Sequence, residues 1–436
     1  MFDTFSSALV SVWLSMSGMP QSLNSAVDVL QTTPWLVNAA NADSTTDALL
    51  QQYLKGLAGE GLSVEAQGVW LQAGPMVLSS NLGATPLPAA SLTKIATTLV
   101  ALETWGAEHR FETVISTTGQ VRQGVVNGDL IIKGGGDPMF VWEQAFAVGN
   151  ALNKLGIAKV TGNLVIVGNF QMNFEVMPDK AGELLKQSLN AATWSEDAIA
   201  QYQSLPPGTP RPQIAIAGAV RVVRESSLPQ TQEVLRHQSL PLAQILKLMN
   251  VYSNNVISQT LADLAGGASV VAQKAAALSG APAQEVLLAN GSGLGVENRI
   301  SPRAVYAMLS AVQRYAIARN LTIADLFPIA GKDQGTIQDR PIPAASVVKT
   351  GTLNDVSGLA GVLPTRDRGL IWFVIMNRGS DLDGLRNQQD QLLQGLTRQW
   401  GSVTSMPLAI APRRPIDPSS ALSNLSDRNE VLLAPQ

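Results

Sequence analysis

Apolar positions along this chain follow two rhythms. Helical spacing runs through residues 241–249 (Leu242, Ile245, Leu246, Met249), resumes over 256–264, and returns over 385–400 at Leu385, Leu392, Leu393, Leu396 and Trp400. Alternating or β-branched runs predict strands. Residues 68–71 and 76–78 make a hairpin around Ala73-Gly74-Pro75, and 347–363 and 370–376 supply further strands joined at 364–369. Residues 109–231 alternate strand-like runs, at 128–132, 163–167 and 213–220, with turn residues, and one helix over 142–155 interrupts them.

This pattern predicts an α+β fold, an antiparallel sheet flanked by helices. The main domain would be discontinuous, built from 55–108 and 232–400, with 109–231 inserted as a mainly β domain or pair of domains. Residues 1–54 form an N-terminal segment outside this frame. So does the tail, 401–436, whose five prolines and weak periodicity predict an extended or disordered chain.

Composition narrows the chemistry. A chain of 436 residues with 45% hydrophobic and 14% charged residues fits two or three domains with well-buried cores. A net charge of -3 with no long Lys/Arg run argues against a nucleic-acid partner. The chain has no cysteine, so neither a thiol nucleophile nor a disulfide framework exists. Its two histidines, His109 and His237, rule out H-E-x-x-H zinc chemistry and allow one Ser-His-Asp triad at most, so no metal or cofactor is expected. His237, just ahead of a Pro241-initiated helix, reads as a structural hydrogen bonder, and His109 reads as surface. Gly134-Gly135-Gly136 lacks a following G-K-[ST] and reads as a tight turn set by Asp137-Pro138.

Three short motifs carry the candidate chemistry. Ser91 and Lys94 lie three apart at the mouth of a helical stretch, where positions i and i+3 share a face and the amine reaches the hydroxyl. A lysine stripped of water can lose its proton and activate a serine. Taken alone, S-x-x-K arises by chance in most chains of this length. Ser253-Asn254-Asn255 falls on the joint between two helical patterns, where an Asn-rich cap is the plain structural reading. Lys349-Thr350-Gly351-Thr352 continues a β-branched run, and a glycine-bulged edge strand would explain it equally well. The order S-x-x-K, S-x-N, K-T-G is the signature of penicillin-binding proteins and class A β-lactamases.

The match extends beyond these motifs. Gly128-Asp-Leu-Ile-Ile-Lys-Gly-Gly-Gly-Asp-Pro138, His237-Gln-Ser-Leu-Pro-Leu-Ala243, Asn290-Gly-Ser-Gly-Leu-Gly-Val-Glu-Asn-Arg-Ile-Ser-Pro302 and Ala330-Gly-Lys-Asp-Gln-Gly-Thr336 all resemble the D-alanyl-D-alanine carboxypeptidase/endopeptidase family, the DacB-type low-molecular-mass penicillin-binding proteins. The resemblance runs from Leu62 to Trp400. It implies a β-lactamase/transpeptidase-like catalytic domain, with the 162-position separation of Ser91 and Ser253 accommodating the family's inserted domain. It also implies roles. Ser91 would be the acylated nucleophile, Lys94 its base, and Ser253 the proton relay to the leaving D-alanine nitrogen. Asn255 would hold Lys94 and the substrate amide, and Lys349 would supply positive field that keeps Lys94 neutral. Thr350 and Thr352 would meet the terminal carboxylate across Gly351, and the N–H groups of Ser91 and Thr352 would form the oxyanion hole.

The implied activity is hydrolysis of the D-Ala-D-Ala bond of peptidoglycan stem peptides, extending to endopeptidase action on D-configured cross-links, with β-lactams as covalent inhibitors. A serine β-lactamase or esterase is the alternative, because Tyr252-Ser253-Asn254 also reads as a Tyr-x-Asn motif. A non-catalytic penicillin- or peptidoglycan-binding protein is the third reading. Residues 1–54 contain no Lys or Arg, so the positive n-region of a signal peptide is missing, although 8–19 is moderately apolar and Ala40-Asn-Ala42 resembles a cleavage site. No stretch reaches the roughly eighteen apolar residues of a membrane helix. An extracytoplasmic, periplasmic location is therefore inferred from the substrate alone.

Overall fold

The computed structural model describes residues 43–414 and 425–432. The signal-like features at 8–19 and 40–42 lie outside these residues. The chain divides into two compact units: 43–99, 269–289 and 293–411 form the first, while 100–268, 290–292 and the remainder from 412 form the second. The sequence expectation placed the insert at 109–231, but the helices Leu242–Val251 and Asn255–Leu264 group with the second unit. Periodicity reports the type of an element and is blind to which neighbour it packs on.

In the first unit, a five-stranded antiparallel sheet runs in the order Val347–Leu353, Val356–Thr365, Gly369–Arg378, Gly68–Ala73, Met76–Asn81. The predicted 68–78 hairpin and the 347–376 strands are both present, with Gly74 at φ 52 supplying the left-handed residue of the hairpin turn. Alternation along each strand sends Leu71, Phe373 and Ile375 to one face, where the helices Ser44–Gly59 and Leu382–Trp400 contribute Leu50, Leu57, Leu393 and Leu396 to a dry core. Burying each such side chain stabilises the fold by about 1.5–3 kcal/mol. Trp70 and Trp372 have the opposite parity and meet Tyr306 of the helix Pro302–Ile317 on the other face. The sheet is thus covered on both faces, and Val347–Leu353 and Met76–Asn81 are its two edge strands.

The second unit holds a six-stranded sheet ordered Val220–Val222, Leu164–Asn169, Leu130–Gly135, Glu112–Thr117, Gln232–Gln238, Asn429–Val431. Its first three strands are parallel, and the helices Trp142–Lys154 and Pro178–Ser188 lie in the connections between them. The inserted region therefore keeps its strands but carries three α-helices, Glu196–Gln203 being the third, where the pattern predicted one. Pro178–Ser188 buries Ala181 and Leu185 in the core of the second unit with Leu184 packed beside them. A Cβ on Gly182 would fall 2.6 Å from Val220 and 2.8 Å from Ile166, so the helix also makes a close approach through a glycine.

Gly134 and Gly135 belong to a strand where only a turn was expected. A Cβ on either would fall within 2.5 Å of the backbone of Phe170 or Glu112, and Gly136 alone takes the left-handed φ, 91. His237 is structural as read, fully buried with Nδ1 2.8 Å from Asn429 Oδ1, and burial pushes its pKa down to about 4. His109 is less open than read: its ring packs edge-on against Phe111, 4.8 Å between centroids. The described parts of the tail are pinned at single points, while Leu408 stays exposed. Ile410 is fully buried, Gln313 Nε2 donates to Ala409 O at 2.7 Å, and Asn429–Val431 adds an edge strand to the second unit. Its prolines report a lack of helix and say nothing about order.

Candidate active site

Ser91 sits in a single 3-10 turn, Ala90–Leu92, that runs directly into the helix Thr93–Trp105. The turn is strained where it presents the serine. Ala90 has φ 46, a left-handed conformation that a residue with a Cβ adopts at a cost of about 1–3 kcal/mol. Gly293 closes over this turn. Its φ is 84, and a Cβ there would fall 1.8 Å from Ala90 O and 2.8 Å from Thr93 Oγ1. Gly293→Ala should therefore displace the turn, lowering the thermal midpoint and slowing covalent labelling by a penicillin at least tenfold. Gly59→Ala, which meets nothing within 4 Å, is the control, and equal behaviour of the two would refute this role.

One helical turn places Lys94 Nζ 2.9 Å from Ser91 Oγ, as the i, i+3 spacing predicted. The two ends differ in exposure, because Lys94 is fully buried while Ser91 is partly open. Burial pushes the Lys94 pKa down to about 7. A neutral amine at this distance can accept the serine proton, whereas an ammonium can only donate.

The edge strand brings the third motif to the same place. A Cβ on Gly351 would lie 3.1 Å from Ser91 N and 3.0 Å from Ala89 O, so the glycine lets the strand lie closer to the nucleophile's backbone than a side chain comfortably would. Val348 N–H donates to Pro328 O at 2.9 Å, away from the sheet. By the alternation of a strand, the Thr350 and Thr352 N–H groups point to the same open side. The Thr352 N–H is thereby turned away from the neighbouring strand Val356–Thr365, and Gly351 lies beside the Ser91 amide nitrogen. Lys349 shares the face of Gly351, is fully buried, and bends its Nζ onto Thr350 O at 2.7 Å. Its pKa lies well below the ordinary lysine value, through burial first and the charge of Lys94 second. Burial alone lowers the Lys94 pKa, while the charge of Lys94 lowers that of Lys349 further, so desolvation, and not the positive field expected of Lys349, accounts for the depressed Lys94 amine.

Thr350 and Thr352 project from the other face of the strand. Thr350 Oγ1 lies 2.7 Å from Thr336 Oγ1, and Thr352 Oγ1 accepts from Arg386 Nη2 at 3.3 Å. Neither Thr336 nor Arg386 was singled out as a site residue from sequence. Thr336 ends the Ala330–Thr336 segment noted there, but nothing local marks Arg386.

The second motif belongs to the other unit. Ser253 occupies the joint between the helices Leu242–Val251 and Asn255–Leu264 with φ 52, a second strained motif residue. The capping role expected of an Asn-rich joint falls to Asn254, whose Oδ1 accepts from Ile257 N at 3.0 Å. Ser253 and Asn255 are thus not needed as caps. Tyr252, the alternative proton carrier, ends the preceding helix with its side chain half exposed.

Among the described residues, no group of three or more His, Cys, Asp or Glu could hold a metal ion, and no helix is long and apolar enough to cross a membrane.

The chain's relatives point the same way. The family model of the D-Ala-D-Ala carboxypeptidase 3 (S13) family matches residues 55–200 and 211–399. The D-alanyl-D-alanine carboxypeptidase DacB of Haemophilus influenzae is 25% identical over 393 residues, covering 67% of this chain and 80% of that protein. Among solved structures, penicillin binding protein 4 of Haemophilus influenzae, complexed with a β-lactam, superimposes with a TM-score of 0.60 at 20% identity, covering 80% of this chain and 99% of that one. A predatory peptidoglycan endopeptidase from Bdellovibrio bacteriovorus gives 0.67 at 21% identity, covering 81% and 97%. At these identities the solved structures establish the fold.

Proposed function

The chain belongs to the D-Ala-D-Ala carboxypeptidase 3 (S13) family of serine hydrolases, and from that premise we propose that Ser91 is the residue acylated when it cleaves peptidoglycan stem peptides. The observation that carries the assignment is the 2.9 Å contact from Ser91 Oγ to a fully buried Lys94. Neutral Lys94 takes the Ser91 proton as Oγ attacks the penultimate D-alanine carbonyl, and the N–H groups of Ser91 and Thr352 stabilise the oxyanion. Each such donor is worth about 10² to 10³ in rate. Ser253 passes a proton to the leaving D-alanine nitrogen, and Asn255 holds the substrate amide. Water then hydrolyses the ester at Ser91. Lys349 keeps the pocket from holding two protons on its paired amines, and Thr350 and Thr352 receive the terminal carboxylate. The order of the three motifs supports the roles of Ser253 and Asn255.

D-configured cross-links and β-lactams fit the same chemistry, the first as endopeptidase substrates and the second as covalent inhibitors. The β-lactam complex and the peptidoglycan endopeptidase among the structural neighbours support both. A wall substrate places the enzyme outside the cytoplasm. Incubation with a fluorescent penicillin and with a D-Ala-D-Ala peptide tests the reading. Persistent label together with released D-alanine is expected, while rapid label loss with β-lactam hydrolysis would make the enzyme a β-lactamase.

The depressed amine also predicts a pH profile. A lysine whose pKa is pushed down to about 7 is protonated, and inactive as a base, below that value. Acylation should therefore rise with pH, with its midpoint near 7, when the labelling rate is followed from about pH 5 to pH 9. A flat profile between about pH 6 and pH 8 contradicts the role of Lys94.

A further inference from the structure

A cavity of about 410 Å³ opens in the first unit beside Thr350 and Thr352, between the edge strand, residues 335–341 and the first two turns of the helix Leu382–Trp400. It contains two arginines in different states. Arg340 is committed: its Nε and Nη2 reach both oxygens of Asp390, at 3.2 and 2.7 Å, and Nη2 also donates to Gln389 Oε1 and Arg386 O. Arg386 is held loosely. Its Nη1 meets Asp383 Oδ1 at 2.8 Å, but the Asp383 side chain is 87% exposed, and such a surface pair contributes little. Its Nη2 donates to Thr352 Oγ1.

We propose that Arg386 is a specificity-determining residue that recognises the free carboxylate beyond the scissile bond, acting together with the Thr350 and Thr352 hydroxyls. This rests on the acyl-enzyme reading above. When Thr352 Oγ1 accepts from a guanidinium, its own hydrogen is released to donate elsewhere, and the partner that suits both donors is an anion. Thr350 Oγ1 sits in a second pair with Thr336 Oγ1, so the hydroxyls of Thr336, Thr350 and Thr352 line the same cavity as the Arg386 guanidinium, with Asp339, Asp383 and the Arg340-paired Asp390 also on its wall. The substrate's terminal carboxylate lies one residue beyond the attacked carbonyl, and the attacked oxygen is assigned to the amide of the same Thr352. Lys349 is poorly suited to this task, because it is buried on the opposite face with its amine against Thr350 O. Arg340 acts as a positioning residue, since its bond to the Arg386 carbonyl and its pairing with Asp390 fix the turn from which Arg386 extends.

The alternative is an ordinary i, i+3 surface pair whose contact with Thr352 is incidental. Two thioesters of N-benzoyl-D-alanine separate the readings: the thioglycolate ester, whose leaving group carries a carboxylate, and the neutral S-ethyl ester. Thiol release would be followed for the wild-type chain and for Arg386→Gln and Arg386→Lys. A charge-assisted contact of this kind predicts that Arg386→Gln lowers the thioglycolate/ethyl ratio of kcat/KM by about ten- to hundredfold, mainly through KM. Arg386→Lys should recover part of the ratio, more so at low salt. An unchanged ratio, or an equal loss on both esters, overturns the assignment. A wild-type enzyme that turns over neither ester overturns the acyl-enzyme reading instead, and this one with it.

Discussion

Ser91→Ala is expected to abolish covalent labelling by a fluorescent penicillin and to cut D-alanine release from a D-Ala-D-Ala peptide by about 10⁴-fold or more. The size follows from the chemistry: without the hydroxyl no acyl-enzyme forms, and what survives is the modest acceleration from binding and oxyanion stabilisation. Ser91 is partly open and lies in a one-turn element, so removing its Oγ should leave the thermal midpoint within a few degrees of wild type. Label or turnover persisting at the wild-type rate would remove Ser91 from the mechanism. Label lost with D-alanine release intact would point to a second nucleophile for the peptide.

Lys94→Arg should be nearly as damaging, slowing acylation by about 10²- to 10⁴-fold. Arginine keeps a positive charge but does not deprotonate at any working pH, so it cannot take the Ser91 proton. The pH profile supplies the signature. In the wild type, acylation climbs through pH 7 as Lys94 becomes neutral, and in the variant that climb should vanish across the whole range. Burying a permanent cation near Lys349 also carries a desolvation cost, so a lower thermal midpoint is expected alongside. Lys94→Met, which removes the base without burying a charge, separates the two effects. If it acylates like the wild type, Lys94 is not the base.

Much of this site could be read along the chain because its parts are local. Ser91 and Lys94 are joined by one turn of helix, and Asn254 caps the element that follows Ser253. The pieces that could not be read act at a distance. Gly293 closes over Ala90 from two hundred residues downstream, and Thr336 and Arg386 reach Thr350 and Thr352 from separate elements. Nothing in the spacing of Asp383 and Arg386 distinguishes a surface pair from a cavity wall. The helix Pro178–Ser188 is hard to read for a related reason, since of its buried positions, Ala181, Gly182, Leu185 and Ser188, only Leu185 is a large apolar residue.

By itself the sequence determined the family, the α+β class and the identity of the candidate nucleophile and base, because helix and strand periods and one-turn contacts follow from covalent spacing. Only the tertiary structure decided how Lys94 comes to be neutral. Desolvation depends on what surrounds the amine from every side, which one-turn spacing along a helix does not state. The same holds for the edge strand: Lys349-Thr350-Gly351 names the residues, but their place at an edge of the sheet, with Gly351 beside the backbone of Ser91, is set by the fold.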